Sequence, residues 1–268
     1  MTRTAIIAGR GGLPAALVAA MAERPFVAAL EGFDPAGVEP DLRFRVERLV
    51  PFLRALEDAG VTRVCFAGAV QRPRLDPALF DPDTATMVPR LLAAMGQGDD
   101  ATLREVLAIF EEAGFALVGV PEIAPELVPD AGVLCGRVTE RDHADAARAA
   151  VIVAALGRVD VGQGAVVQQG LCLAVEALPG TDAMLAGVAA IPATLRPAGT
   201  KGLFFKAPKP SQDRRIDLPA LGVETVRRVA AAGLGGIVFE AGGVICLDLP
   251  AMVDEAEASG LFLWAREP

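Results

Sequence analysis

Histidine is almost absent: His143 is the single one in 268 residues, which excludes any site needing two histidines from one chain, including the usual zinc hydrolase arrangements. A working metal must then be held by oxygen. The four cysteines, Cys65, Cys135, Cys172 and Cys246, lie far apart with no C-x-x-C spacing, so neither a zinc ribbon nor a thioredoxin motif is present, and they read as reduced core residues. No stretch approaches the roughly 18 consecutive apolar residues that a membrane-spanning helix needs. Met1-Thr2-Arg3-Thr4 leads into a strand-like run rather than a signal-peptide apolar region, which predicts a cytoplasmic protein. Basic residues are in deficit, 25 against 34 acidic ones, giving a formal net charge of −9 and a pI near 4.8. That balance opposes nonspecific attraction to nucleic acid or anionic lipid. There is no internal repeat or low-complexity tract.

What is present is apolar and patterned. Hydrophobic residues make up 53% and charged residues 22%, ample for a folded core, and the length suits one large domain or two modest ones. Thr4 to Ala8, the turn Gly9-Arg10-Gly11-Gly12-Leu13-Pro14 and the helix from Ala15 to Glu23 read as the strand, glycine turn and helix of an α/β unit. Strands are predicted at Phe26 to Leu30, Phe44 to Val46, Val64 to Ala67 and Ala116 to Val120, with helices near Pro51 to Ala59 and Asp99 to Ala113 between them. Leu103, Val106, Leu107 and Phe110 recur at helical spacing, and Gly114 stands where a glycine cap belongs. The alternation predicts a mainly parallel sheet covered by helices. Three prolines between Val120 and Pro129 resist regular structure, so a linker is expected there and a domain boundary near residue 130, giving domains 1–130 and 131–268. A helix from Thr139 to about Leu156 opens the second domain. Runs at Ala165 to Val167, Cys172 to Val175, Leu203 to Lys206, Ile237 to Phe239 and Val244 to Leu247 supply its sheet.

Three stretches can carry chemistry. The turn Gly9, Gly11, Gly12 lets backbone N–H groups approach a phosphate at a helix N-terminus, but it departs from G-x-G-x-x-G and serves equally as a tight strand-to-helix turn. Glu31 does not stand out as the acidic residue that binds an NAD ribose, which weighs against a dehydrogenase. Glu176 to Met184 places a carboxylate, Thr181 and Asp182 after a strand, where they can face a phosphate or a hard cation or simply cap a helix. Lys206 to Pro219 gathers Lys206, Lys209, Arg214 and Arg215 with Asp213 and Asp217 around a proline-stiffened loop, a set that suits a polyanion with a divalent cation or a mutually paired charged loop. Asp99 and Asp100 fit helix capping, Glu240 ends a strand at a glycine turn, Arg72 precedes a proline turn, and His143 reads as a solvated helix residue.

Taken in order, Ile7-Ala8-Gly9-x-Gly11-x-Leu13-Pro14, Gly68 to Pro73, Gly98-Asp99-Asp100, Gln169-Gly170, Glu176 with Gly180 to Met184, Lys209-Pro210-x-Gln212-Asp213-x-Arg215-x-Asp217-x-Pro219 and Glu240-Ala241-Gly242 resemble the LpxI family of UDP-2,3-diacylglucosamine pyrophosphatases of lipid A biosynthesis. Ser211 and Ala220 depart from the family pattern, which has glycine and threonine there.

The resemblance implies an α/β protein with a Rossmann-like N-terminal domain, a second α/β C-terminal domain that is catalytic and lipid-binding, and an interdomain substrate cleft. It implies Mg²⁺-dependent hydrolysis of UDP-2,3-diacylglucosamine to UMP and 2,3-diacylglucosamine 1-phosphate (lipid X), with water attacking the sugar-side phosphorus. On that basis Asp213, Asp182, Asp217, Lys209 and Arg215 are expected to be catalytic, with Asp213 and Asp182 on the metal. Gly9, Gly11, Gly12, Leu13, Arg72, Gln169, Glu176, Thr181, Lys206, Gln212, Arg214 and Glu240 are expected to bind substrate. A homodimer and transient contact with the inner face of the inner membrane are further expectations. A non-catalytic sugar-nucleotide or lipid-binding protein is the alternative, with a nicotinamide oxidoreductase behind it.

Overall fold

A computed structural model describes residues 2–71, 73–210 and 212–268, apart from the side chains of Asp99 and Asp100. The chain divides into two compact units, Met1–Pro125 and Glu126–Pro268.

In the first unit, strands β1 (Arg3–Ala8), β2 (Phe26–Leu30), β3 (Leu42–Phe44), β4 (Val61–Ala67) and β5 (Ala116–Leu117) form a parallel sheet in the order β3-β2-β1-β4-β5. Helices α1 (Leu13–Ala20), α2 (Leu49–Asp58), α3 (Pro82–Ala85), α4 (Val88–Met95), α5 (Asp99–Glu112) and α6 (Val120–Ile123) complete the unit. The run Ala5 to Ala8 is buried throughout, as a parallel strand covered on both faces must be. Leu107 and Phe110 bring the buried stripe of α5 to the core, and Gly114 supplies the left-handed residue after its end, φ +90°. Phe110 meets Phe52 and Phe66 edge to face at 6.2 and 5.1 Å, while Phe44 stacks on Phe52 at 3.8 Å.

Two expectations need correction. The third strand ends at Phe44, and Val46 already belongs to a 3-10 turn. The proline-rich stretch after Val120 is not featureless: Pro121 falls in the first turn of α6, where its missing N–H costs nothing, and Glu122 accepts the Gly119 N–H at 2.9 Å. Pro125–Leu127 adds a 3-10 turn.

The second unit has a six-stranded sheet in the order β6-β13-β11-β9-β7-β8. Its strands are β6 (Gly132–Cys135), β7 (Gly164–Gln168), β8 (Leu171–Val175), β9 (Leu203–Lys206), β11 (Gly236–Glu240) and β13 (Phe262–Arg266), while β10 (Ala220–Leu221) and β12 (Ile245–Cys246) pair separately. The central β9, β11 and β13 run parallel, and β6, β7 and β8 are antiparallel to their neighbours. Helix α7 (Glu140–Gly157) covers one face, and α8 (Gly180–Ala189), α9 (Val223–Ala231) and α10 (Leu249–Ala258) supply the other. The period of two along β9 makes the division: Leu203 and Phe205 pack with Ala146, Ala149 and Val153 of α7, whereas Phe204 packs with Leu185 and Val226. Thr139 starts α7 with a capping box to Asp142, whose carboxylate accepts the Thr139 N–H at 2.9 Å.

Candidate functional site

The carboxyl ends of β9 and β11, and the chain leaving β8, gather several of the expected site residues at one end of the second unit's sheet. Gly164, the first residue of β7, stands opposite Lys206, the last of β9, and its carbonyl accepts the Glu176 N–H at 2.8 Å. This brings Glu176 onto Lys206. The buried ammonium donates to both carboxylate oxygens of Glu176, at 2.8 and 3.2 Å, and to Thr181 Oγ1 at 2.6 Å. Thr181, in the first turn of α8, donates in turn to Glu176 Oε2 at 3.0 Å. All three polar side chains are thus satisfied by one another, and the charge of Lys206 is neutralised within the protein. A glycine is required at 164, since an added Cβ would lie 2.7 Å from Glu176 Oε2 and 2.8 Å from the Phe204 ring.

The loop after β9 is anchored on the end of α7. Pro210 lies against Gly157, where a Cβ would come within 2.7 Å of its Cδ, and the Lys209 ammonium pairs with Asp160. Gln212 Oε1 accepts the Lys209 backbone N–H at 2.9 Å and Gln163 Nε2 at 2.7 Å. A backbone N–H can only donate, so this pair of bonds fixes the orientation of the Gln212 amide.

Asp213 folds the next turn. Its carbonyl accepts the N–H groups of Ile216 and Asp217, and its carboxylate takes the Arg215 N–H at 3.0 Å and the Arg215 guanidinium at 2.7 Å. That guanidinium, helped by the backbone N–H and opposed by partial burial, holds the Asp213 carboxyl below its ordinary pKa. Arg214 reaches Glu240 at the end of β11, 2.6 Å away.

Not every expected residue joins this cluster. Asp182 lies exposed in the first turn of α8 and pairs with Arg228 of α9 at 3.2 Å. Gln169 sits at the far end of β7, in the two-residue hairpin turn to β8, with φ values of 52° and 78° for Gln169 and Gly170. There fully buried Asp145 accepts the N–H groups of both turn residues, at 2.9 and 2.8 Å. Arg72 and Ser211 lie outside the described residues. Gln163 and Asp160, which fasten the loop, escape the sequence reading because they precede β7 in an unremarkable connection and contact residues 49 positions away.

In the first unit, Gly9 serves close packing, since a Cβ there would sit 2.7 Å from the Ala69 carbonyl oxygen. Gly11, at φ +99°, and Gly12, which caps α1, have open space around them and leave the backbone before Leu13 accessible. A cavity of about 330 Å³ lies at the amino ends of β1, β2 and β4, bordered by Arg3, Arg24, Arg63 and Glu122, the end of such a sheet where ligands are not ordinarily bound.

Among the described residues no group of three His, Cys, Asp or Glu side chains converges to hold a metal, and no helix is long and apolar enough to cross a membrane.

Comparison with known proteins covers both units. The LpxI N-terminal domain matches residues 3–127 and the LpxI C-terminal domain residues 130–264. A relative from Caulobacter vibrioides, UDP-2,3-diacylglucosamine pyrophosphatase LpxI, is 40% identical over 277 aligned positions that span 100% of this chain and 99% of its own. With both domains matched in order and the likeness running from end to end, the chain belongs to the LpxI family.

Proposed function

We propose that this chain hydrolyses the pyrophosphate bond of UDP-2,3-diacylglucosamine, releasing UMP and 2,3-diacylglucosamine 1-phosphate. The observation that carries the reading is the full-length 40% identity to a relative named for that activity. Water adds to the sugar-side phosphorus, the bond from that phosphorus to the bridging oxygen breaks, and UMP departs with the electron pair.

The loop after β9 supports this chemistry. Lys209, Arg214 and Arg215 are each seated against a carboxylate, so their positive charges are oriented before substrate arrives. Such preorganised charge favours a transition state with negative charge on phosphoryl oxygens. Lys206, already neutralised by Glu176, acts instead by fixing Thr181 and the start of α8. Asp213 stays ionised at neutral pH because Arg215 favours its charged form.

Mg²⁺ is commonly held by one or two carboxylates with substrate phosphates and water completing its shell. We assign Asp213 to that role; Asp182, the other carboxylate expected on the metal, pairs instead with Arg228. Bound Mg²⁺ would supply charge against the diphosphate and a more acidic water. Leu178, 97% exposed beside Thr181, and exposed Leu195 offer apolar surface to acyl chains or a bilayer, each buried methylene contributing about 0.8 kcal/mol.

The deciding assay follows UMP formation by purified protein with Mg²⁺ or with EDTA. Turnover should require Mg²⁺ and fall by about 10²–10³ in Asp213→Ala. Near-native turnover in that variant would remove Asp213 from the mechanism, and nucleotide-lipid binding without turnover would replace the hydrolase by a binding protein.

A further inference from the structure

The carboxyl ends of β2, β3 and β4 border a second cavity, of about 240 Å³, whose polar lining includes Glu31, Arg45, Glu47, Gln71 and Arg74, with Phe33 beside them. Open parallel sheets of this strand order bind ligands outside their carboxyl ends, and an acidic residue closing β2, about 20 residues past the glycine turn, is placed to accept a hydrogen bond from a ribose hydroxyl. Glu31 fills that position. It follows directly on Leu30, the last residue of β2, at the strand end the sequence predicts, although sequence spacing alone does not single it out as a ribose ligand.

Its surroundings hold one carboxylate oxygen and leave the other open. Glu31 Oε2 accepts Arg45 Nη1 at 2.8 Å, and Arg45 Nη2 lies 3.3 Å from Glu47 Oε1. Glu47, only 3% exposed, is itself tied to the Asp76 N–H at 2.8 Å. On the other side, Arg10 donates to the Gly32 carbonyl at 2.7 Å and stacks over the Phe33 ring at 5.0 Å, which steadies the turn that carries Glu31. Oε1 of Glu31 accepts no hydrogen bond among the described residues, and the side chain is 47% exposed. A free carboxylate oxygen calls for a donor. Two carboxylates and two guanidiniums line the cavity, so it carries no excess positive charge for a phosphate, and the open carboxylate oxygen suits a neutral hydroxyl.

We propose that Glu31, oriented by Arg45, accepts a hydrogen bond from the ribose 2′-hydroxyl of a uridine nucleotide, so that the first unit distinguishes ribonucleotide from deoxyribonucleotide. The ligand class rests on the sugar-nucleotide reading above, whereas the subsite rests on Glu31 at the end of β2.

Calorimetric titration of the full chain with UMP and with 2′-deoxy-UMP tests it. A hydrogen bond to a charged acceptor is commonly worth a factor of about ten or more in affinity, so wild type should prefer UMP by at least that factor. Glu31→Ala should reduce the preference to within about twofold, and Glu31→Gln, which keeps an acceptor without the charge, should fall between, with melting curves confirming that both variants are folded. Equal affinities in wild type, no measurable binding of UMP, or a preference that survives in folded Glu31→Ala would each overturn the proposal. Discrimination without hydrolysis of UDP-2,3-diacylglucosamine would sink the hydrolase and leave the subsite standing, and hydrolysis without discrimination would do the reverse.

Discussion

Lys206 is 5% exposed, and its ammonium group finds its partners on the two side chains that fix it, Glu176 and Thr181. Removing one member of a buried ion pair commonly costs about 3–5 kcal/mol, because the other is left charged without a partner. Lys206→Met should therefore lower the unfolding free energy by roughly that amount. Removing both charges should recover much of it: denaturant unfolding of Lys206→Met with Glu176→Leu is expected to show the double variant well above the single one. Additive losses would mean that the two residues act independently. Asp213 offers a second test, in pH. Its folded-state pKa lies below the ordinary 3.8, so its pairing with Arg215 stabilises the protein above the unfolded value and is lost as pH falls through the lowered one. The stability difference between wild type and Asp213→Asn should stay level from neutral pH down to about pH 4 and close below it. Sequence marks Glu176 and Thr181 in one candidate stretch and Lys206 in another, each following an apolar run. Their mutual contact was not legible, because it depends on β7 pairing with β9 across a loop whose length no local pattern sets.

Strands and helices differ in what they reveal. β9 and β11 are near-continuous apolar runs, and α7 and α5 carry caps or a clear period, so all four could be read directly. β6 and β13 were not: β6 is largely exposed, and its register against β13 is irregular. The cysteines divide along the same lines. Cys65 in β4 and Cys246 in β12 are buried, and desolvation pushes their thiols up to about 12. Cys135 in β6 is buried too, while Cys172 lies exposed on the edge strand β8. A thiol-specific chromogenic reagent at neutral pH should titrate one group in native protein, mapping to Cys172, and the other three only after denaturation. Rapid labelling of Cys65 or Cys246 would mean that their strands open far more readily than their burial implies.

The division at Pro125–Glu126 leaves every strand pair among the described residues within a single unit. Residues 126–268 produced alone are therefore expected to unfold in one cooperative thermal transition, followed by circular dichroism. A broad, non-cooperative melt would show that this unit depends on the first for its core. The α/β class and the parallel first sheet were legible from the alternation of runs. The antiparallel strands that edge the second sheet were not, because strand direction is set by connections, and the connection from β8 to β9 passes through all of α8.

The pairing of Gly164 with Lys206 ties the buried ion pair to the alignment of two strands. Side chains alternate between the faces of a sheet, so a slip of one residue between β7 and β9 would turn the ammonium group away from Glu176 and present Phe205 in its place. A misaligned sheet would keep most of its hydrogen bonds yet bury a lone carboxylate beside an aromatic ring. The ion pair thus works as a key cut for one alignment: strands that meet out of step during folding are penalised by a buried charge left without its partner.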